Sequence, residues 1–138
     1  MIKQLLIAWA LMASSVAIHA SGIVAGLTAA RRHLGRSSWT FVFVGLAGWI
    51  ILLHVSEIIV WAAVYTWRGA MPDMVSAMYF SAVTYTTTGY GDLVLPQSWR
   101  LVGAVEALTG ILMCGWSTGF FFAVLSRMLQ TRDEEIRA

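Results

Sequence analysis

"TTTGYGD", residues Thr86 to Asp92, interrupts a chain that is otherwise mostly apolar. Small and polar residues with two glycines suit either a surface turn or a backbone-lined site that the flanking apolar runs hold in place. Composition bears on the choice. Apolar residues make up 59% of the 138 residues and charged residues only 12%, where soluble domains carry about 25% charged residues. A soluble globule of this make-up would lack the polar surface to cover itself, so the chain reads as an integral membrane protein. The net charge of +2 is small, and the basic residues gather at segment ends, which disfavours nucleic acid as a partner. Cys114 lies alone inside an apolar run and forms no intrachain disulfide.

A spanning helix needs roughly 20 largely apolar residues. Residues 4–30 carry no charge, residues 37–67 carry only Glu57, and residues 98–130 carry Arg100 and Arg127 near the ends with Glu106 between them. Three spanning helices fit. The remainder, 69–97, is too short to cross twice, yet is apolar from Met74 to Val83. Pro72 suits a first helical turn and Asp73 complements the helix dipole, which predicts a short helix over 72–85 broken by Gly89 and Gly91. Leu93 to Gln97, with Pro96, forms a turn before the last helix. Irregular backbone at membrane depth persists only inside protein or along a water-filled path.

Basic residues orient the chain. Arg31, Arg32 and Arg36 follow the first span, and Arg127, Arg132 and Arg137 end the chain. The positive-inside rule places both groups in the cytoplasm, with the N-terminus and the 69–97 hairpin outside; Lys3 is a weak counter-signal. The first 20 residues also resemble a signal peptide with a small residue at Ala20. Cleavage there would put the Arg31–Arg36 cluster outside, and the apolar run continues to Ala30, so a retained helix is expected.

Thr87-Thr88-Gly89-Tyr90-Gly91-Asp92 resembles the filter of the potassium-channel pore family, Thr-x-Gly-Tyr-Gly followed by Asp. The resemblance spans about residues 40–130 and implies a prokaryotic-type pore: outer helix 38–67, pore helix 72–85, filter 87–91 and inner helix 98–130. An additional N-terminal helix and basic loop occupy 1–36, and 131–138 form a short cytoplasmic tail. The implied fold is all-α membrane, with three transmembrane helices, a re-entrant pore helix and a tetrameric pore. By the same resemblance, backbone carbonyls of Thr87, Thr88, Gly89 and Tyr90, with the Thr87 hydroxyl, would hold K+ as the permeant ion. Glycine permits the backbone dihedrals this requires. One loop supplies one side of each oxygen ring, so a single-motif chain needs a homotetramer in the cell membrane's lipid bilayer. No cofactor and no enzymatic chemistry are implied.

The motif also departs from the family. Thr88 stands where Val or Ile is usual. Tyr79 and Phe80 replace two Trp that donate toward the filter: Tyr79 can donate to Asp92, Phe80 cannot donate to the Tyr90 hydroxyl, and Thr84 remains a candidate partner for it. Val83 stands where some relatives bury a Glu. With Gly91 and Asp92, these residues form the filter's support.

On the last helix Gly110 suits either a hinge or close packing. Ile111, Cys114 or Gly115, Thr118, Phe122 and Ser126 share a candidate cavity face, with Phe122 the bulkiest and so a candidate gate. Glu57 and Glu106 are costly in a bilayer. They are candidates for bonding the back of the pore helix, or for pH sensing with His54, which lies three residues before Glu57 on one helical face. No voltage-sensing repeat of Arg is visible. Two alternatives to a potassium channel stand beside it: a non-selective cation channel, and a non-conducting membrane subunit.

Overall fold

A computed structural model describes residues 2–33 and 39–137. Among them lie four α-helices: α1 (Ile2–His33), α2 (Trp39–Trp67), α3 (Met74–Tyr85) and α4 (Arg100–Arg137), with a 3-10 turn at Gln97–Trp99 before α4. Three helices are long and apolar enough to cross a membrane, over Ile2–Ala29, Thr40–Trp67 and Gln97–Arg127. At 12 residues, α3 is about 18 Å long and cannot cross. The loop holding Arg36 lies outside the described residues, as do the side chains of Arg31, Arg32, Arg132 and Arg137.

Helix boundaries follow from local chemistry. Gly69 adopts a left-handed φ of 66° after α2. Its N–H bonds Thr66 O at 3.0 Å and the Ala70 N–H bonds Tyr65 O at 2.8 Å, the paired bonds of a Schellman ending. At the start of α3 the structure corrects the expected boundary at Pro72. Asp73 has extended backbone, and its carboxylate accepts from the Ser76 N–H. It is therefore the N-cap, and the first helical residue is Met74. The Ser76 N–H bond holds the Asp73 carboxyl below the usual carboxylate range. The last helix runs past residue 130 to Arg137, so the expected tail is a continuation of α4. Its 38 residues measure about 57 Å at 1.5 Å each, well beyond an apolar bilayer core of about 30 Å.

Helices α1 and α3 each bridge α2 and α4, which touch one another only briefly. The main core lies where these elements meet: Leu11 of α1, Trp61 and Tyr65 of α2, Ala77 of α3, Leu95 of the hairpin and Val102 of α4. A smaller cluster joins Ile58, Tyr85 and Met113. Glycines let α1 and α2 close on each other. A methyl at Gly22 would meet Leu53, and one at Gly26 would meet Trp49. Large apolar side chains such as Leu6, Phe41, Ile51, Val75, Leu108 and Phe122 remain exposed, which suits lipid or neighbouring chains rather than water.

Candidate functional site

The end of α3 turns into the hairpin through a run of bonds back to its own last carbonyls. Thr86 N–H reaches Ala82 O at 3.1 Å, Thr87 N–H reaches Thr84 O at 2.9 Å, and Thr88 N–H reaches Val83 O at 2.9 Å. Gly89 N–H also turns to Val83 O, at 3.3 Å. Beyond the helix φ is positive at alternate residues: Thr87 at 60°, Gly89 at 60° and Gly91 at 76°. Alternating handedness turns successive peptide planes the same way, as in backbone nests that gather N–H groups on one edge. Here the amides of Thr87, Thr88 and Gly89 are spent on α3, and across trans peptides that turns the carbonyls of Thr86, Thr87 and Thr88 away from the helix. Thr87 is the one residue among those described that holds a left-handed φ without being glycine, and such strain gathers at functional sites.

Several side chains hold this stretch. Tyr79 OH donates to Asp92 Oδ2 at 2.7 Å, tying α3 to the far leg of the hairpin. That bond holds the Asp92 carboxyl below the usual carboxylate range. Thr86 Oγ1 donates to Ala82 O at 2.7 Å and lies 2.9 Å from Thr88 Oγ1. With the Thr86 proton so used, Thr88 is the donor between the two hydroxyls. The extra hydroxyl at this unusual position is thus absorbed locally.

Phe80 packs edge-on against Tyr65, with ring centroids 5.6 Å apart, in the core between α2 and α4. Among the described residues no hydrogen bond joins Thr84 to the Tyr90 hydroxyl within one chain, and Tyr90 is 71% exposed. That expected pairing is not made inside the single chain. A cavity of about 190 Å³ lies between α3 and the hairpin, lined by Tyr79, Phe80, Val83 and Thr84 on the helix side.

Gly110 is placed by packing. A methyl there would lie 1.9 Å from the carbonyl oxygen of Tyr85, so α4 passes the last turn of α3 backbone to backbone. On the candidate cavity face Ile111 and Phe122 are exposed, and Thr118 turns its hydroxyl to Cys114 O at 2.9 Å. Phe121 stacks on Phe43 of α2, which distinguishes it from its neighbour Phe122.

Both buried carboxyls reach the back of α3, from opposite sides. Glu106 of α4 accepts from Tyr65 OH at 2.7 Å and from Ser81 Oγ. Ser81 Oγ also lies 3.1 Å from Ile58 O.

Glu57 of α2 accepts from Tyr85 OH, the last residue of α3, and lies 2.8 Å from His19 Nδ1 of α1. His54 does not touch Glu57 directly, as their shared helical face suggested. It bonds Tyr85 OH at 3.1 Å and Ser117 Oγ at 3.2 Å, and Ser117 Oγ lies 3.0 Å from His19 Nε2. Ligand-type atoms of His19, His54 and Glu57 lie within 4.8 Å of one another, but each is already engaged in these bonds.

Sequence reasoning missed His19, Ser81, Tyr85 and Ser117. For His19 a signal existed: a histidine within an otherwise apolar span is a functional candidate in its own right.

The ion channel family matches residues 39–127, from the start of α2 to the last basic residue of the α4 span. The chain belongs to the ion channel family. The match covers α2, α3, the hairpin and most of α4, as the resemblance of this region to a two-helix pore led one to expect. α1 stands outside the matched region of this ion channel. No curated protein and no solved structure matches the chain.

Proposed function

We propose that this ion channel conducts potassium selectively and passively at the axis of a homotetramer. The observation that carries this reading is the alternation of left-handed φ at Thr87, Gly89 and Gly91. It goes with the amides of Thr88 and Gly89 directed back onto α3, which turns the carbonyls of Thr87 and Thr88 away from that helix; with those of Gly89 and Tyr90 they would replace a cation's hydration shell. The Thr87 hydroxyl closes the innermost position, where the negative end of the α3 dipole favours a cation. Four copies complete each oxygen ring. Gly91 and Asp92, pinned by Tyr79, support the outer end, and the hairpin and N-terminus face outside with α4 ending in the cytoplasm.

The test is flux from proteoliposomes of the purified channel under potassium or sodium gradients. Potassium flux well above sodium flux is expected for a carbonyl filter. Equal fluxes would leave a non-selective cation channel, and absence of both would leave a non-conducting subunit.

A further inference from the structure

Glu57, Tyr85, His54, Ser117 and His19 close a ring of hydrogen bonds that joins all four helices. Proton bookkeeping fixes most of its state. Tyr85 donates its hydroxyl proton to Glu57, so the Tyr85 oxygen can only accept from His54 Nδ1, which therefore carries a hydrogen. A neutral His54 then has a bare Nε2 that accepts from Ser117 Oγ. With its proton so used, Ser117 accepts from His19 Nε2. The remaining proton lies between His19 Nδ1 and Glu57 Oε1. With that proton on either group the ring carries no net charge; with it on Glu57 each group donates once and accepts once, and bonds of one sense around a cycle reinforce one another.

This state has a defined breaking point. The lone pair opposed by the weakest and most easily turned donor is Nε2 of His54, which faces only the Ser117 hydroxyl, and a sixth proton would go there. His54 would then donate at both nitrogens, the Ser117 hydroxyl would turn its own proton away and accept from both histidines, and a full positive charge would appear. That charge would sit with ring centroids 5.1 Å from His19 and 5.8 Å from Tyr85. Tyr85 lies two residues before Thr87, where the conducting hairpin begins.

We propose that the ring is a proton-binding site through which acid lowers conduction: the channel conducts with the ring uncharged, and protonation of His54 reverses its bond to Ser117 of α4 and places a cation's charge behind the inner end of the filter. The groups facing His54 are His19 from α1, Glu57 from its own helix, Tyr85 from α3, and Ser117 with Cys114 nearby from α4. Glu106, the other buried carboxyl behind α3, lies outside the ring. The proposal rests on the hairpin being the conduction path. Absence of flux at every pH would sink that reading, whereas flux indifferent to pH would sink this one alone.

The experiment is potassium flux from proteoliposomes across pH. Flux of the wild-type channel should fall about tenfold between pH ~8 and ~5, the interval in which histidine titrates. His54→Asn keeps a donor near the Tyr85 oxygen but cannot bind the extra proton, and should flatten that fall. Glu106→Gln should leave the fall in place. A wild-type flux unchanged over the interval, or a fall that survives His54→Asn whatever Glu106→Gln does, would overturn the proposal. Should His54→Asn fail to assemble, ¹⁵N spectra of histidine-labelled wild-type channel decide. Protonation of His54 at both nitrogens over the interval of flux loss is expected, and a His54 that stays neutral while flux falls would refute the site.

Discussion

Between Gly110 and the carbonyl oxygen of Tyr85 there is no room for a methyl group, since a Cβ would stand 1.9 Å from that oxygen. Both partners are backbone, so neither can swing aside. Gly110→Ala should destabilise the channel by about 1–3 kcal/mol, the usual cost of overpacking. Gly48→Ala meets nothing within 4 Å and should unfold thermally like the wild type, which makes it the control. At Asp92 the relevant change is electrostatic. The Tyr79 hydroxyl depresses the folded-state pKa of this carboxyl, so its contribution is present above the ordinary carboxylate range and is lost as pH falls through the depressed value. Tyr79→Phe removes the bond. Flux through that variant should begin to fail at a higher pH, within the ordinary Asp range, than in a channel keeping Tyr79.

At the scale of elements, α3 is held by two carboxyls arriving from different helices, Glu57 on α2 and Glu106 on α4. The Glu106 clamp gives a clean comparison. Glu106→Gln can still accept from Tyr65 and donate to Ser81, and should cost little in thermal unfolding. Glu106→Ala strands the Tyr65 hydroxyl and removes the Ser81 partner, at about 1–3 kcal/mol for each buried polar group left unpaired. The short helix itself was legible in the sequence, because an apolar run stopped by glycines carries its own limits. Its first residue was not: Pro72 and Asp73 both signal a helix start, and only the carboxylate bond to Ser76 decides between them. The hairpin's glycine spacing likewise announced its backbone. The partners of the buried charges could not be read, since His19 meets Glu57 across 38 residues and Ser117 across 98. Helical spacing relates neighbours on one helix, and on that basis it paired His54 with Glu57. Packing instead joins the two through a shared partner, the Tyr85 hydroxyl.

For the whole molecule, the extra helix changes what the pore helices can do. α1 contacts both α2 and α4, and it is fastened to them by polar bonds as well as by apolar contact: Trp61 Nε1 donates to Ser15 at 3.1 Å, and Trp49 Nε1 to Gly22 O at 2.8 Å. His19 reaches across to Ser117. The inner helix is therefore gripped at Gly110 by α3 and at Ser117 by α1, while about 20 residues beyond Ser117 run on toward Arg137, close to 30 Å of helix. On the proposed pore reading the two grips act as a fulcrum and the length of α4 beyond them as a lever arm. A force applied near Arg137 would pass the Phe121–Phe43 stack on α2 and then reach the ring that holds His54, with the filter end of α4 anchored at Gly110.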